Sequence, residues 1–139
     1  MACRFFASVV LLAALGTAVA APPTGWDQEL LKRYPTAKAH DKARDATIKE
    51  MRVDLERRRA ALATAEEARK DFLDTYEPYD NRPPSATVQR ILDDLKGSCD
   101  RRRELVTEQE AQIALREDRF RAEKVRLQPF WSARSKQAV

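Results

Sequence analysis

The sequence contains few of the residues that build catalytic and metal sites. Its 139 residues include one His, two Cys and three Gly, and no glycine-rich loop that could cradle a phosphate group. One His and two Cys cannot supply a zinc ligand set, and no spacing suggests a Ser–His pair. The one His, His40, stands among charged neighbours, so we expect it on a solvated helix face. We predict that the protein is not an enzyme and holds no cofactor or metal.

Long apolar runs are also scarce, and the one that exists lies at the beginning of the chain. Residues 1–20 contain a single charge, an apolar run at 5–15 and, at 18–20, the sequence Ala-Val-Ala that a signal peptidase accepts. We predict that residues 1–20 are a cleaved signal peptide and that the protein is periplasmic or secreted. The alternative is an uncleaved inner-membrane anchor formed by residues 5–21, where a spanning helix needs about 20 apolar residues.

Without that segment, the composition is typical of long helices. Ala, Glu, Lys, Leu and Arg make up 62 of the remaining 119 residues, and the net charge is +3. Leu, Ile, Val and Phe number only 21, which is too few for a thick globular core. Their periodic spacing argues against disorder. Because acidic residues are mixed through the basic stretches, we do not expect a nucleic-acid partner.

Pro and Gly divide this mature chain into pieces, because both are avoided inside helices. Residues 21–35 are a lead and a short amphipathic helix, opened by a capping box of Thr24 and Asp27. Residues 36–128 follow as a predicted helical hairpin. Its parts are a first arm at 36–77, a proline-rich loop at 78–84 and a second arm at 85–128. Pro129 is expected to end the second arm and to leave an aromatic and basic tail at 129–139.

Apolar residues recur at seven-residue intervals in both arms, with Arg69 interrupting the repeat in the first arm. The second arm has them at Leu92, Cys99, Val106, Ile113, Phe120 and Leu127, and the first arm at Ile48, Leu55, Leu62 and Tyr76. This spacing keeps one apolar face toward a partner helix over many turns. We predict an all-α fold, an extended antiparallel coiled-coil-like hairpin with a short N-terminal helix. The repeat passes Gly97 in register, so we favour a continuous second arm over a break there.

Two arginine triplets are the candidate partner-binding residues. Folding the hairpin about residue 81 pairs positions whose numbers sum to about 162, which brings the triplets to one level of the rod. They are Arg57, Arg58, Arg59, Arg101, Arg102 and Arg103. Six guanidinium groups at one level suit an acidic partner. Acidic neighbours such as Glu56 and Glu104 favour the plainer interpretation, a solvated helix face.

The same folding gathers aromatic residues at the open end of the hairpin. Trp26 and Tyr34 come near Phe130 and Trp131, and a basic tail follows. This cluster either closes the hairpin or contacts a membrane through Trp131 and the tail. We favour closure, because the rings come from both ends of the chain.

Cys99 is the only cysteine that remains once residues 1–20, with Cys3, are removed. A single cysteine cannot form an internal disulfide. Cys99 falls on the seven-residue repeat, which favours a buried thiol. The alternative is an intermolecular disulfide between two copies.

These features predict an exported protein that acts through protein–protein interaction or self-association. Two amphipathic helices bury little apolar surface, so we expect a homo-oligomer or a protein partner. A periplasmic holdase-type chaperone is one alternative. In charge, export and helical arms the chain resembles the Skp family of outer-membrane-protein chaperones, without that family's β-strand body and without the Leu-Thr-x-x-Gln motif of the Spy family. The other alternative is a membrane-anchored envelope coiled coil, similar to the inner-membrane spanin of phage lysis systems. It would keep residues 5–21 as the anchor.

Overall fold

A computed structural model describes residues 21–76 and 83–137, and these residues form three α-helices and no strand. Helix α1 spans Gly25–Arg33, α2 spans Ala37–Thr75 and α3 spans Ala86–Gln137. The all-α prediction is confirmed for this part of the chain. The predicted signal peptide at 1–20 and most of the predicted loop at 78–84 lie outside the described residues.

Helix α1 begins at the predicted capping box. The backbone N–H of Thr24 donates to the Asp27 carboxylate at 2.8 Å, and the backbone N–H of Asp27 donates to the Thr24 hydroxyl at 3.3 Å. The helix ends at Arg33, because Pro35 disfavours helical geometry at Tyr34 before it. These two hydrogen bonds pair backbone N–H groups that would otherwise lack an acceptor, so α1 begins where the sequence indicated.

Helices α2 and α3 lie antiparallel along each other. In three ion pairs between the helices, a higher residue number on α2 is matched by a lower one on α3. The two residue numbers of each pair add up to 169. These pairs are Arg52 with Glu117, Arg59 with Glu110, and Glu66 with Arg103. On the other side of the helix pair, Gln109 donates to the Met51 carbonyl, where the sum is 160. The predicted sum of about 162 falls between the two.

Helix α3 is continuous through Gly97, as favoured above, but it does not end at Gln128. It continues through Pro129 to Gln137, so most of the expected tail is helical. Pro129 lacks the N–H that would reach the Val125 carbonyl one turn earlier. Val125 is 73 % exposed, so water is available to that carbonyl. Trp131 is buried one half-turn later, and its packing holds the last turns of α3 in place.

The largest buried cluster lies at the open end, where α1 packs against α3. Its members are Leu30, Leu31, Tyr34, Phe120, Leu127 and Trp131. Leu127 has no exposed surface at all. Farther along the rod, α2 and α3 pack only against each other among the described residues. We call residues 56–76 and 86–108 the distal segment.

Candidate functional site

The distal segment leaves its apolar residues incompletely covered. Val88 and Cys99 are buried between α2 and α3. Four large apolar side chains of the segment are between 39 % and 45 % exposed, namely Leu73, Tyr76, Ile91 and Leu105. Two helices cannot enclose an apolar stripe that is wider than their line of contact. Among the described residues, the distal segment therefore holds four of the eight exposed large apolar side chains. The other four are Trp26, Val53, Leu115 and Val125.

One flank of the α2–α3 pair consists of cross-helix ion pairs. The three pairs that sum to 169 have N–O distances of 3.0, 2.7 and 2.8 Å, from Arg52, Arg59 and Arg103 respectively. Each of these residues lies four positions after a residue of the apolar repeat, so all lie on the same side. We call this side the ion-pair flank. Exposed pairs of this kind contribute only about 0.2–1 kcal/mol each, so they set register more than stability.

The opposite flank has few charges and small side chains. It is built from residues one position before the apolar repeat, over 47–68 of α2 and 91–112 of α3, and we call it the neutral flank; toward the open end, the same row of α3 continues with the charged residues Arg119 and Arg126. On α3 these residues are Ile91, Ser98, Leu105 and Gln112, and on α2 they are Thr47, Asp54, Ala61 and Ala68. The only charged residue in this set, Asp54, accepts a hydrogen bond from Arg58 at 2.8 Å. Over 47–68 of α2 and 91–112 of α3, this side of the rod therefore presents apolar and small residues. The other side presents the three cross-helix ion pairs and, farther along α2, the exposed Leu73.

On the ion-pair flank, an acid rather than a second arginine lies opposite each arginine triplet. Arg59 lies opposite Glu110, which is seven residues, or roughly 10 Å of helix, beyond Arg103. The hydrogen bond to Glu110 raises the pKa of Arg59, and the bond to Glu66 raises the pKa of Arg103. The triplets do not face each other on this flank, and these two guanidinium groups bind acids of the same chain.

The remaining triplet residues have different surroundings. Arg58 is half-buried on Asp54, whereas Arg57, Arg101 and Arg102 are exposed. The Arg101 guanidinium lies over Gly97, where an added Cβ would be 3.4 Å from Nη1. As sites for an acidic partner, these residues stay a prediction.

Trp131 belongs to the buried cluster rather than to an exposed surface. It is 7 % exposed, and its indole N–H donates to the Tyr34 carbonyl at 3.0 Å. Tyr34 and Trp131 therefore meet as the closure interpretation requires. Trp26 does not join them, since it is 54 % exposed. The expectation that Trp131 contacts a partner directly conflicts with its burial in the folded chain.

Cys99 is buried between α2 and α3, with 3 % of its surface exposed, and is free in the described structure. This agrees with its place on the apolar repeat. An intermolecular disulfide would require the sulfur to leave this position, because a disulfide needs its two Cβ atoms about 3.8 Å apart.

The expectation for His40 is wrong. Its surface is 0 % exposed, and the rings of Tyr34, Phe120 and Trp131 surround it at centroid distances of 5.0, 5.4 and 5.7 Å. Among the described residues, neither ring nitrogen has a hydrogen-bond partner. The nearest carboxylate oxygens, of Asp41 and Glu123, lie 3.7 and 3.8 Å away. Charged sequence neighbours suggested exposure, but Tyr34, which follows α1, and Phe120 and Trp131 of α3 cover this side of α2.

The sequence also gave no indication of the ion pair that fixes α1 to α3. Asp27 is 4 % exposed, and its carboxylate accepts a hydrogen bond from the Arg126 guanidinium and another from the Thr24 hydroxyl. The hydrogen bond from Arg126, followed by those from Thr24, lowers the pKa of Asp27 to about 2. The capping residue therefore has a second partner 99 positions away.

A cavity of about 480 Å³ lies between α2 and α3 next to His40. Its cationic side chains already have acidic partners. Arg44 binds Asp45 at 2.7 Å, and Lys124 binds Asp41 at 2.8 Å, which lowers the pKa of Asp41. Over residues 21–76 and 83–137, no three His, Cys, Asp or Glu side chains are placed to hold a metal ion. The ion pairs leave no net charge here that would select a ligand.

Within the same ranges, no helix combines the length and the apolar character that crossing a bilayer demands. Comparison of the chain with protein-family models, curated proteins and solved structures found no match.

Proposed function

We propose that the chain is an exported helical-hairpin protein that works by self-association through its distal segment. One observation carries this proposal. Helix α1 packs against α3 at the open end, whereas Leu73, Tyr76, Ile91 and Leu105 remain 39–45 % exposed where no third helix is present. Fully burying a side chain of this size contributes about 1.5–3 kcal/mol, so covering the exposed part of each is worth about 1 kcal/mol.

Self-association is favoured over a purely electrostatic role because of how the charges are used. Arg52, Arg59 and Arg103 bind Glu residues of the facing helix. The ion-pair flank is thus largely neutralised within one chain, which favours the exposed apolar residues of the distal segment as the surface for association. Export rests on residues 1–20 and is proposed from the sequence pattern.

Light scattering coupled to size-exclusion chromatography tests the proposal on the exported chain over a hundredfold range of concentration. We expect twice the monomer mass at the upper end. Leu105→Glu should give a monomer, because a buried charge opposes association. Val125→Glu is the matched control, since Val125 is also an exposed aliphatic residue of α3 but lies on the side opposite the repeat. A monomeric wild-type chain at every concentration would rule out self-association.

Two further measurements separate the alternatives. N-terminal sequencing of the protein from fractionated cells distinguishes a cleaved chain, beginning at residue 21, from one that keeps residues 5–21 as an anchor. Suppression of the aggregation of an unfolded outer-membrane protein, abolished by Leu105→Glu, would instead assign the distal segment to a holdase role.

A further inference from the structure

Toward the open end of the rod, the two rows of the neutral flank continue into residues that contact α1 or Tyr34, which follows it. Seven residues before Thr47 on α2 lies His40, which is buried beneath Tyr34. On α3, the same repeat continues from Gln112 to Arg126, which binds Asp27 of α1. Ala43, beside this row on α2, also packs against the cluster that α1 completes. The neutral flank therefore continues the face on which α1 and Tyr34 pack.

The same face is uncovered in the distal segment. Ile91 and Leu105 lie on it about 21 Å apart along α3, and they are 39 % and 45 % exposed. Ser98 lies midway between them and is half-buried. On α2, the residues beside them are Ala61 and Ala68, whose short side chains let another helix approach closely. The face that accepts α1 at one end thus continues without a cover at the other.

We infer that a second copy of this chain covers the distal neutral flank, with α3 packed antiparallel on α3 about a two-fold axis at Ser98. This inference rests on the proposed self-association and specifies its surface. In a two-fold interface, residues at equal distances on either side of the axis meet. Ile91 then packs on Leu105 of the second copy, and Leu105 on Ile91 of the second copy, so that both exposed apolar residues are buried together.

Charge complementarity supports the same axis. Asp94 and Arg101 are exposed on the turn next to the neutral flank, on either side of Ser98. Asp94 lies four residues before Ser98 and Arg101 three after it, so the axis brings each Asp94 to within about 1.5 Å, along the helices, of the level of Arg101 of the other copy. That offset is small enough for two symmetric ion pairs at the rim. An axis at Leu105 would place Ile91 opposite Arg119 of the second copy. Only the axis at Ser98 matches both the apolar residues and the charges.

Cysteine cross-linking locates the axis. In a Cys99→Ala chain, Ser98→Cys should give a disulfide-linked dimer under mild oxidation, because the two sulfur atoms would lie near the axis. Gln112→Cys in the same background is the matched control. It lies on the same row, but its two copies would be about 42 Å apart along the helices, so it should stay unlinked. Cross-linking at residue 112 and not at 98 would overturn the inferred axis.

Charge reversal tests the interface while keeping Cys99. Asp94→Arg and Arg101→Asp should each raise the dimer dissociation constant about tenfold or more. The double variant should restore it to within about threefold of the wild-type value, because the pairs are re-formed with opposite polarity. Equal helicity of all variants by circular dichroism shows that the monomer fold is intact.

The outcomes distinguish this inference from the proposed function. A dimer by light scattering that lacks both the Ser98 cross-link and the charge-reversal rescue would overturn the two-fold axis and leave self-association standing. A monomer at all concentrations would overturn both. A dimer with the Ser98 cross-link, no cross-link at 112 and the rescue would support both.

Discussion

Replacing His40 by Leu should leave the protein equally stable or make it more stable. A buried polar group without a hydrogen-bond partner costs about 1–3 kcal/mol. His40 has 0 % exposure and two such nitrogens within the described structure. Leu fills a similar apolar space among the Tyr34, Phe120 and Trp131 rings, with a shape mismatch that costs less than about 1.5 kcal/mol. We therefore expect a gain of about 0–2 kcal/mol.

The neighbouring carboxylates do not lose their partners in this substitution. Asp41 keeps Lys124 at 2.8 Å, and Glu123 keeps Arg119 at 3.0 Å. Removal of the imidazole therefore creates no new unpaired charge, and the effect measured is that of the His40 ring itself. His40→Ala is the control for packing, because it leaves a cavity. It should be less stable than His40→Leu by about 2–5 kcal/mol.

Urea denaturation at neutral pH, followed by far-ultraviolet circular dichroism, measures these differences. The thermal midpoint should rise by about 4 °C for each kcal/mol gained in a chain of this size. If His40→Leu lowers the free energy of unfolding by more than about 1 kcal/mol, the two nitrogens make stabilising interactions that the observed geometry does not contain. The reasoning from unpartnered buried atoms would then be refuted.

Three other substitutions give separate tests. Gly97→Ala should stabilise α3 by about 0.5–1 kcal/mol in urea denaturation, since an added Cβ meets only a flexible side-chain end at 3.4 Å, and a loss would indicate a break there. Because the folded pKa of Asp27 is lowered from 3.8 to about 2, its pairing with Arg126 stabilises the fold above about pH 4 and is lost as the pH falls toward 2. Asp27→Asn should remove that part of the acid dependence in urea titrations at pH 5, 3.5 and 2, and an unchanged profile would contradict the assignment. Trp131→Phe should cost about 1–3 kcal/mol of unfolding free energy by leaving the Tyr34 carbonyl unpaired, whereas an unchanged value would mean that water replaces the indole N–H.

Much of the secondary structure follows from local chemistry. Thr24 and Asp27 start α1 by satisfying backbone donors near its first turn, and Pro35 ends it, as the sequence indicates. The seven-residue repeat through Ile113 and Phe120 identified buried positions of α3, because period and burial are both properties of one helix. Pro129 is where this local reasoning failed. A proline inside a helix is unfavourable locally, but burial of Trp131 beyond it and water at the missing bond outweigh that preference.

The candidate interaction surface could be predicted less completely. The repeat identified the line of contact between the two arms. The alignment of α2 against α3 was needed to show that Arg59 faces Glu110 rather than a second arginine. Which flank is charged and which is neutral also depends on that register. Arg59 and Glu110 are 51 positions apart in the chain. Which side chains pair across the two helices depends on the geometry of the turn between them, and the sequence does not specify that geometry.

Capping, proline placement and periodicity act within a few turns. They predicted from the sequence a helical chain, the place where α1 begins and ends, and the buried repeat positions Ile48, Leu55, Cys99, Ile113, Phe120 and Leu127. Only contacts between distant segments show that His40 is buried, that Asp27 binds Arg126, and that the row containing the neutral flank is covered at the open end and bare in the distal segment. Each of these depends on where α1 and Tyr34 meet the end of α3. Asp27 and Arg126, which pair there, are 99 positions apart in the chain.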